Sequence, residues 1–361
     1  MFKKAMRVLS LGGSIMAFHV GSGFASGQEI LQFYTSYGPQ RGLCMSVLAC
    51  VLLVAFSFRL LEAGRQAPEA PVRRQYQRLG GAAVGGLFFW LTPLLMSLVL
   101  CVTIAGGGAA LAELFGVPAA RGKVWMGLPV LVTVLLGLQC ITALSGSLGP
   151  IIIVCALGLG VFGIARGQEN TLWMQLSQPA GSWVLAAVSY ACFGMVTQVP
   201  FLLTVGKELS GPKEALAIAL LGNGGYMLTG AALHLGLCKN LPQLLGDQLP
   251  ALTLARQVSG LAGWFYGVIV LFSIYTTAVP LLWSVCRAIA PQEKSVGYRV
   301  SALGLTALAC AGARLPFDRL LGLVYPGVGY VSALFFLLVL LRGGRGYGHS
   351  GVSRHRAANA A

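Results

Sequence analysis

Glycine, serine and polar residues replace apolar residues in the middle of the first hydrophobic segment of the chain. The stretch consists of Gly21, Ser22, Gly23, Phe24, Ala25, Ser26, Gly27, Gln28 and Glu29. Each glycine costs a helix about 1 kcal/mol relative to alanine, and a charge at the centre of a bilayer costs at least about 2.5 kcal/mol. Unwound backbone at membrane depth is tolerated only where it faces a protein interior or a wet cavity. The composition therefore predicts a broken helix that lines a binding cavity.

Three other interpretations of this stretch are weaker. Close helix packing through small residues explains the glycines and serines but not Gln28 and Glu29. A dinucleotide-binding loop is disfavoured because the spacing is GxGxxxG and no strand precedes it. A signal peptide is disfavoured because His19 interrupts the apolar run and another apolar turn follows Glu29.

A second interruption of the same kind lies at residues 189–200, where Pro200 removes a backbone donor and predicts a kinked or broken helix. Its candidate binding residues are Tyr190, Phe193, Gly194 and Thr197. A shift of 173 positions aligns Gly21 with Gly194 and also aligns Gly38-Pro39 with Gly211-Pro212. Broken helices at matching positions of two inverted halves are typical of a substrate site at the membrane midplane, which indicates alternating-access transport.

Composition identifies the medium in which these segments lie. The chain has 361 residues, of which 56% are hydrophobic and only 10% are charged, whereas soluble domains carry about 25% charged residues. The mean hydropathy is +0.78. These values exclude a disordered chain, a disulfide-rich secreted domain and a typical soluble enzyme. Nine cysteines without a CxxC pair and four histidines predict neither disulfides nor a histidine-based metal site.

The apolar windows predict an all-α integral membrane protein with ten transmembrane helices in a 5+5 inverted repeat, of which helices 1 and 6 are discontinuous. The repeats cover about residues 8–166 and 182–342 of a single domain at 1–342, and 343–361 is a polar basic tail. The boundary between the fourth and fifth segments is the least marked, and Ser145, Gly146, Ser147 and Pro150 are its only punctuation. The predicted segments are 8–36, 41–62, 82–113, 123–141, 146–165, 182–206, 212–237, 259–289, 296–313 and 320–341.

The distribution of positive charge predicts the orientation. With ten segments, about two thirds of the 25 Lys and Arg residues fall on the side of both termini, which the positive-inside rule assigns to the cytoplasm. The formal charge of +15 then reflects topology and contact with anionic lipid headgroups, and no nucleic-acid partner is expected. The basic linker 63–80 and the tail are expected to be mobile. Segment 237–258 forms either a short lid helix or a passive loop.

The stretch VGSGFASGQEILQFYTSYG, at residues 20–38, resembles the signature of the YkvI-type bacterial membrane proteins. These proteins resemble the amino acid, polyamine and organocation transporter superfamily, whose fold is the LeuT type. The resemblance covers nearly all of residues 1–342. It implies a multi-pass protein of the bacterial cytoplasmic (inner) membrane, in which the ten helices and the two breaks are those described above.

The resemblance also implies a sodium site. In sodium-coupled members, carbonyls of the first helix face hydroxyls of the eighth, and the matching residues here are Ala17, Val20, Ser273, Thr276 and Thr277. Carbonyl and hydroxyl oxygens suit a hard cation. Hydrogen bonding of the two threonines to their own helix is the alternative. A proton-driven mechanism is a further alternative, and it would depend on Glu29.

The predicted function is secondary active transport of a small organic solute, with an amino acid favoured and Na⁺ as the coupling ion. The amides of residues 21–27 would face a carboxylate, Tyr190, Phe193 and Gly194 would line the other side, and Gln28 or Glu29 would meet an ammonium, which suits a zwitterion. An alternative role for Glu29 is to bond the backbone of the break. No catalytic constellation is found, so an enzyme is not expected. A ligand-sensing receptor with a transporter fold is the alternative function, and His19 and His234 are expected to be packing residues.

Overall fold

The computed structural model describes residues 2–176, 178, 181–293 and 295–342 and contains fifteen α-helices and two short 3₁₀ helices in those residues. No strand occurs in these ranges. The α-helices, in chain order, are α1 (Phe2–His19), α2 (Ser22–Ser26), α3 (Gln28–Phe33), α4 (Pro39–Gln66), α5 (Val72–Gly80), α6 (Ala82–Phe115), α7 (Ala119–Leu136), α8 (Leu138–Arg166), α9 (Trp183–Val196), α10 (Val199–Gly206), α11 (Pro212–Leu244), α12 (Pro250–Val258), α13 (Gly260–Ile289), α14 (Val296–Gly312) and α15 (Phe317–Arg342). The 3₁₀ helices are Thr35–Tyr37 and Leu172–Gln175.

Six of these helices, namely α4, α6, α7, α11, α13 and α15, are long and apolar enough to cross a membrane. The pair α9 and α10 qualifies as a seventh span if the two helices are taken together, although they are bent by 62°. Large apolar side chains remain exposed along these helices, as on α6 and α15. A membrane protein with multiple apolar helices is therefore confirmed, because such faces need lipid as their solvent.

Each predicted segment contains a helix, but the boundary between the fourth and fifth lies elsewhere than expected. α7 ends at Leu136 and α8 begins at Leu138, so the turn is at Gly137 rather than at 142–145. Gly137 has a φ of 99°, which is a conformation that glycine adopts readily. Pro150, the expected punctuation, lies inside α8.

The linker 63–80 is not the mobile segment that its composition predicts, so this expectation is wrong. α4 continues to Gln66, and residues 72–80 form the amphipathic helix α5, on which Tyr76 is buried. The side-chain nitrogen Nε2 of Gln75 donates hydrogen bonds to the carbonyls of Ala67 (3.0 Å) and Ala70 (3.2 Å) and fixes the turn before α5. The arginines of this segment make its composition polar, although one face of the helix is buried. The other segment expected to be mobile, the tail at 343–361, lies outside the described residues.

For segment 237–258 the structure favours the helical alternative. α11 continues to Leu244, and α12 buries Leu252 and Leu254 while it packs against α13. A Cβ atom added at Gly27 would lie 2.9 Å from both the nitrogen and the Cβ of Ala251. α12 therefore lies directly against the second break of the first segment.

The two aligned Gly-Pro pairs have the same local role. Gly38 is the N-cap of α4 and Gly211 is the N-cap of α11, and each following proline lies in the first turn of its helix. Proline suits this position because the first-turn amides have no partner within the helix. The matched pairs thus start the helix that follows each broken segment.

Candidate functional site

The first segment is interrupted twice in the structure. α1 ends at His19, Val20 and Gly21 lie between helices, and α2 spans Ser22–Ser26. Gly21 is extended, with φ −97° and ψ −170°, whereas Gly27 has a left-handed φ of 79° and separates α2 from α3. Glycine makes both changes of direction possible at little steric cost. All five residues of α2 are buried, so this short element is enclosed by protein.

The sixth segment is broken at Thr197 and Gln198, between α9 and α10. Pro200 lies in the first turn of α10, where its missing amide would have no helical partner. A Cβ atom added at Gly194 would lie 3.3 Å from Cε1 of His19. The end of α1 and the last turn of α9 therefore approach each other closely, beside the two glycines that the shift of 173 positions aligns.

A cluster of hydroxyl groups surrounds Glu29, which is only 3% exposed. The hydroxyl oxygens of Tyr190 and Tyr226 lie at hydrogen-bond distance from Oε1 of Glu29, at 2.6 Å and 3.0 Å. Their own oxygen atoms are 2.5 Å apart. Glu29 forms no ion pair with a cationic side chain in the described part of the chain. Its observed partners are hydroxyls, not the backbone of the break.

A second polar chain begins at His19. Its Nε2 lies 2.9 Å from Oδ1 of Asn223, whose amide nitrogen donates to the hydroxyl of Ser57 over 2.9 Å. The His19 ring also stacks on Tyr226 with centroids 4.5 Å apart. His19 thus orients the tyrosine that contacts Glu29, in agreement with a packing role. His234 likewise has structural partners, because it bonds Thr35 and the carbonyl of Pro39.

Aromatic rings complete the surroundings of the carboxylate. Phe24 packs on Tyr226 with centroids 4.7 Å apart, and Tyr34 meets Tyr190 edge to face at 5.0 Å. Phe193 stacks on Tyr325 of α15, with centroids 3.9 Å apart. Rings around a carboxylate suit a ligand that carries both a cationic group and an apolar part.

Some buried polar atoms near the breaks have no hydrogen-bond partner among the described residues. They include both polar side-chain atoms of Gln198 and Oε1 of Gln28. An unsatisfied buried polar group costs about 1–3 kcal/mol, so water or a ligand normally satisfies it. Gln198 lies in the second break, and Gln28 begins α3 after the first segment's second break. Both positions are therefore candidate contacts for a polar ligand.

Part of the predicted sodium site is assembled. The hydroxyls of Ser273 and Thr277 point at the carbonyl oxygen of Val20 over 3.4 Å and 3.5 Å. Both threonines also bond their own helix, as the alternative predicts: Thr277 donates to the carbonyl of Ser273 over 2.8 Å, and Thr276 donates to the carbonyls of Phe272 and Ser273. The carbonyl of Ala17 accepts the amide of Val20. The structure thus groups three of the five predicted residues, and their oxygens are of the type that binds a hard cation.

The remaining predicted residues take different places. Ser26 donates to the carbonyl of Gly23 and accepts from the amide of Gln28, which closes the turn at Gly27. The carbonyl of Ala25 accepts the hydroxyl of Tyr266 on α13 over 2.7 Å. Thr197 bonds the carbonyl of Gly194 within its own turn at 3.5 Å. Ser22 is the first residue of α2 and is buried.

Sequence reasoning missed several residues of this region. They are Tyr34, Gln198, Asn223, Tyr226 and Tyr325, which lie in or beside otherwise apolar helices. One available signal was the spacing of Asn223 and Tyr226, which places two polar residues on one face of α11 one turn apart. Tyr325 precedes Pro326 inside α15, and the sequence carries no clear signal for its contact with Phe193.

The polar side chains of α2 and the start of α3 are closed to solvent in this conformation, whereas Gly21, Gly194 and Thr197 at the breaks are half-buried. Ser22, Ser26, Gln28 and Glu29 are all buried. Two surface cavities of the described part lie elsewhere: one is between α1 and the start of α11, and the other is among α8, α12 and α13. A ligand would therefore reach Glu29 only after a change of conformation.

Comparison with known proteins places this geometry in a class. The fold matches that of MhsT in complex with L-phenylalanine, with a TM-score of 0.63, 15% identity, and coverage of 94% of this chain and 89% of that one. It also matches a mutant of the manganese transporter of Eremococcus coleocola, with a TM-score of 0.53, 14% identity, and coverage of 97% and 90%. The chain therefore has the fold of LeuT-type transporters.

In sequence the chain is similar to the uncharacterized membrane protein YkvI of Bacillus subtilis (strain 168), with 22% identity over 331 residues that cover 90% of this chain and 92% of that protein. It is also 27% identical to the uncharacterized protein YyaD of the same strain over 206 residues, which cover 56% and 57% of the two chains. No family model matches the chain. The resemblance to YkvI-type proteins is confirmed by this similarity along most of both chains.

Proposed function

We propose that this protein is a secondary active transporter of a small organic solute, with an amino acid as the favoured substrate, and that it works by alternating access. The observation that carries the proposal is the contact between the two helix breaks, at His19 and Gly194, beside a buried carboxylate and unsatisfied amide groups. Broken helices place free backbone dipoles inside a membrane protein, and such positions bind ions and polar solutes in transporters. The LeuT-type fold supports the same function.

The proposed architecture has ten spans in two inverted repeats of five. α1 to α3 together form span 1, and α9 with α10 form span 6. α4, α6, α7, α8, α11, α13, α14 and α15 form the other eight. An even number puts both termini on one side, and the distribution of Lys and Arg favours the cytoplasmic side of a bacterial inner membrane with anionic headgroups. The matched Gly-Pro starts of α4 and α11 support the internal repeat.

The chemistry of the enclosed groups favours a zwitterion over a metal ion as the solute. One carboxyl group and two tyrosine hydroxyls lie among aromatic rings, which suits an ammonium group attached to an organic body. The buried amide of Gln198, in the break of the sixth segment, offers a further polar contact. The described residues contain no group of three or more His, Cys, Asp or Glu side chains that could hold a metal ion. The amino acid bound to MhsT supports the choice of an amino acid here.

Na⁺ is the proposed coupling ion at Val20, Ser273 and Thr277. Two of the three oxygen atoms belong to α13 and one to the break after α1, so an ion among them would join two elements that separate when the molecule opens. Such differential contact is what couples an ion to a conformational equilibrium. No cofactor and no catalytic step are part of the proposal.

Uptake into proteoliposomes tests the transport function. The purified protein should accumulate at least one radiolabelled amino acid of a complete panel when an inward sodium gradient is imposed, and accumulation should fall when the gradient is dissipated. Gly21→Leu is the negative control and should not accumulate the amino acid. A side chain there would fill the break, because a Cβ atom would lie 3.5 Å from Cγ2 of Thr277. Saturable binding with no flux under any gradient would instead favour a ligand-sensing receptor.

A further inference from the structure

Oε1 of Glu29 and the hydroxyl oxygens of Tyr190 and Tyr226 form a triangle, and the hydrogen atoms available to its three edges can be counted. Its three edges are Tyr190 to Glu29 at 2.6 Å, Tyr226 to Glu29 at 3.0 Å, and Tyr190 to Tyr226 at 2.5 Å. All three distances are in the range of hydrogen bonds between oxygen atoms. Each edge therefore needs one hydrogen atom between its two oxygens.

Two tyrosine hydroxyls supply only two hydrogen atoms. With an ionised Glu29, the third edge would hold two oxygen atoms at hydrogen-bond distance with no hydrogen between them. With a protonated Glu29, the carboxyl group donates to one tyrosine, that tyrosine donates to the other, and the second tyrosine donates back to Oε1. All three edges are then satisfied.

The environment offers no other compensation for a negative charge at this position. The titratable side chains that face Glu29 are tyrosines, and no cationic side chain of the described residues forms an ion pair with Glu29. Arg256 of α12 pairs with Glu113, and His234 of α11 bonds Thr35 and Pro39. The backbone carbonyl of Asp318, on α15, accepts a hydrogen bond from the side-chain amide of Gln32. The facing tyrosines are Tyr34 after α3, Tyr190 of α9, Tyr226 of α11 and Tyr325 of α15.

We propose that Glu29, Tyr190 and Tyr226 form a proton-binding site, which holds one proton in this closed conformation and releases it to water when the ammonium group of a solute binds Glu29. The exchange replaces one positive charge with another, so the buried carboxylate is compensated in both states. Glu29 is then the residue through which solute binding is linked to protons. The release step rests on the proposed transport function, whereas the bound proton does not.

Infrared difference spectroscopy tests the bound proton without any solute. The spectrum of the wild-type protein minus that of Glu29→Gln at neutral pH should contain the carbonyl stretch of a protonated carboxylic acid, and this band should shift when the protein is exchanged into D₂O. Glu62→Gln is the matched control, because Glu62 pairs with Arg65 at 2.7 Å and should contribute no such band. A folded wild-type protein without the band would overturn the proposal. If Glu29→Gln does not fold, the band and its shift in the wild type decide the same point.

Proton release tests the exchange. Addition of a bound amino acid to the wild-type protein in weakly buffered detergent solution should release about one proton per molecule bound, as reported by a pH-sensitive dye. At pH values where Glu29 is protonated, the affinity for the amino acid should rise about tenfold for each unit by which the pH increases, because the proton and the ammonium group compete for one carboxylate. Glu29→Gln should abolish both effects, and Glu62→Gln should leave both intact.

The outcomes separate the two proposals. Binding or uptake without proton release and without pH dependence overturns the exchange but leaves transport standing. Failure of every amino acid to bind or to be taken up overturns the transport function and the release step together, while the infrared band still decides whether Glu29 holds a proton.

Discussion

At the scale of single residues, the hydroxyls of α13 fall into two groups that their sequence spacing does not separate. Ser273 and Thr277 lie within 3.5 Å of the carbonyl oxygen of Val20, although Thr277 also donates to the carbonyl of Ser273 over 2.8 Å, whereas the bonds of Thr276 all lie within its own helix. Residues three and four apart both share a helix face, so spacing alone does not separate Thr276 from Thr277. The pattern SIYTT indicated the right helix, but only the orientation of α13 decides which hydroxyl meets the broken segment.

Thr277→Val should weaken the sodium dependence of uptake. The change removes one oxygen ligand but keeps the shape of the side chain, and interactions with a charged group are worth about 1.5–3 kcal/mol. The sodium concentration for half-maximal uptake should therefore rise at least about tenfold.

Thr306→Val is the matched control, because Thr306 of α14 bonds only the carbonyl of Ala302 in its own helix among the described contacts. Its sodium dependence should be that of the wild type. An unchanged sodium dependence in Thr277→Val would remove Thr277 from the proposed ion site.

The candidate site was only partly predictable from sequence, for a physical reason. Glycine, serine and a carboxylate inside an apolar run are costly unless they serve a site, so Glu29 and its neighbours stand out. Tyr226 and Tyr325 carry no such cost, because a tyrosine is largely apolar and fits a membrane helix without explanation. Their part in the site depends on which helix faces bring them to Glu29 and Phe193, and this is a property of the packing.

At the scale of helices, each predicted segment contains a helix, and six helices of the described part of the chain are long and apolar enough to cross a membrane. The errors lie where local chemistry decides. Gly137 ends α7 through its left-handed conformation, whereas Pro150 is tolerated inside α8. α5 was missed because its arginines dominate the composition, while Tyr76 and Leu79 supply a buried face with helical spacing.

Gly27→Ala should destabilise the protein and displace α12. A left-handed conformation costs a residue with a Cβ atom about 1–2 kcal/mol, and the added atom would lie 2.9 Å from Ala251. We expect a lower unfolding temperature in detergent and reduced uptake.

Gly13→Ala, inside α1, is the control for this substitution. No atom lies within 4 Å of an added Cβ there. It should be neutral or stabilising, by up to about 1 kcal/mol, because alanine favours a helix over glycine. Equal unfolding temperatures for the two variants would contradict a structural role of the turn at Gly27.

At the scale of the whole molecule, the broken first segment is held at its amino-terminal end. Arg7 forms ion pairs with Glu214 at 3.6 Å and with Glu208 at 3.8 Å, and it also donates to the carbonyl of Glu208. These contacts join α1 to the turn between α10 and α11. They tie the amino-terminal end of the first segment to the start of α11.

Arg7→Ala should loosen this connection. Exposed ion pairs are worth about 0–1 kcal/mol each, so loss of the two pairs should accelerate hydrogen exchange of the α1 amides by no more than about thirtyfold. Arg41→Ala is the control, because Arg41 is exposed and lies outside the ion pairs of the described residues. Equal exchange of α1 in both variants, measured by mass spectrometry, would show that Arg7 does not hold the closed state.

The burial of α2 and Glu29 has a consequence for rates. A solute cannot collide with groups that are enclosed, so association must wait for the molecule to open. The observed rate of binding should rise with solute concentration and then level off at the opening rate. The measured affinity is also lower than the intrinsic affinity by the fraction of molecules that are open. Substitutions that favour opening, such as Arg7→Ala, should therefore tighten binding without touching the solute.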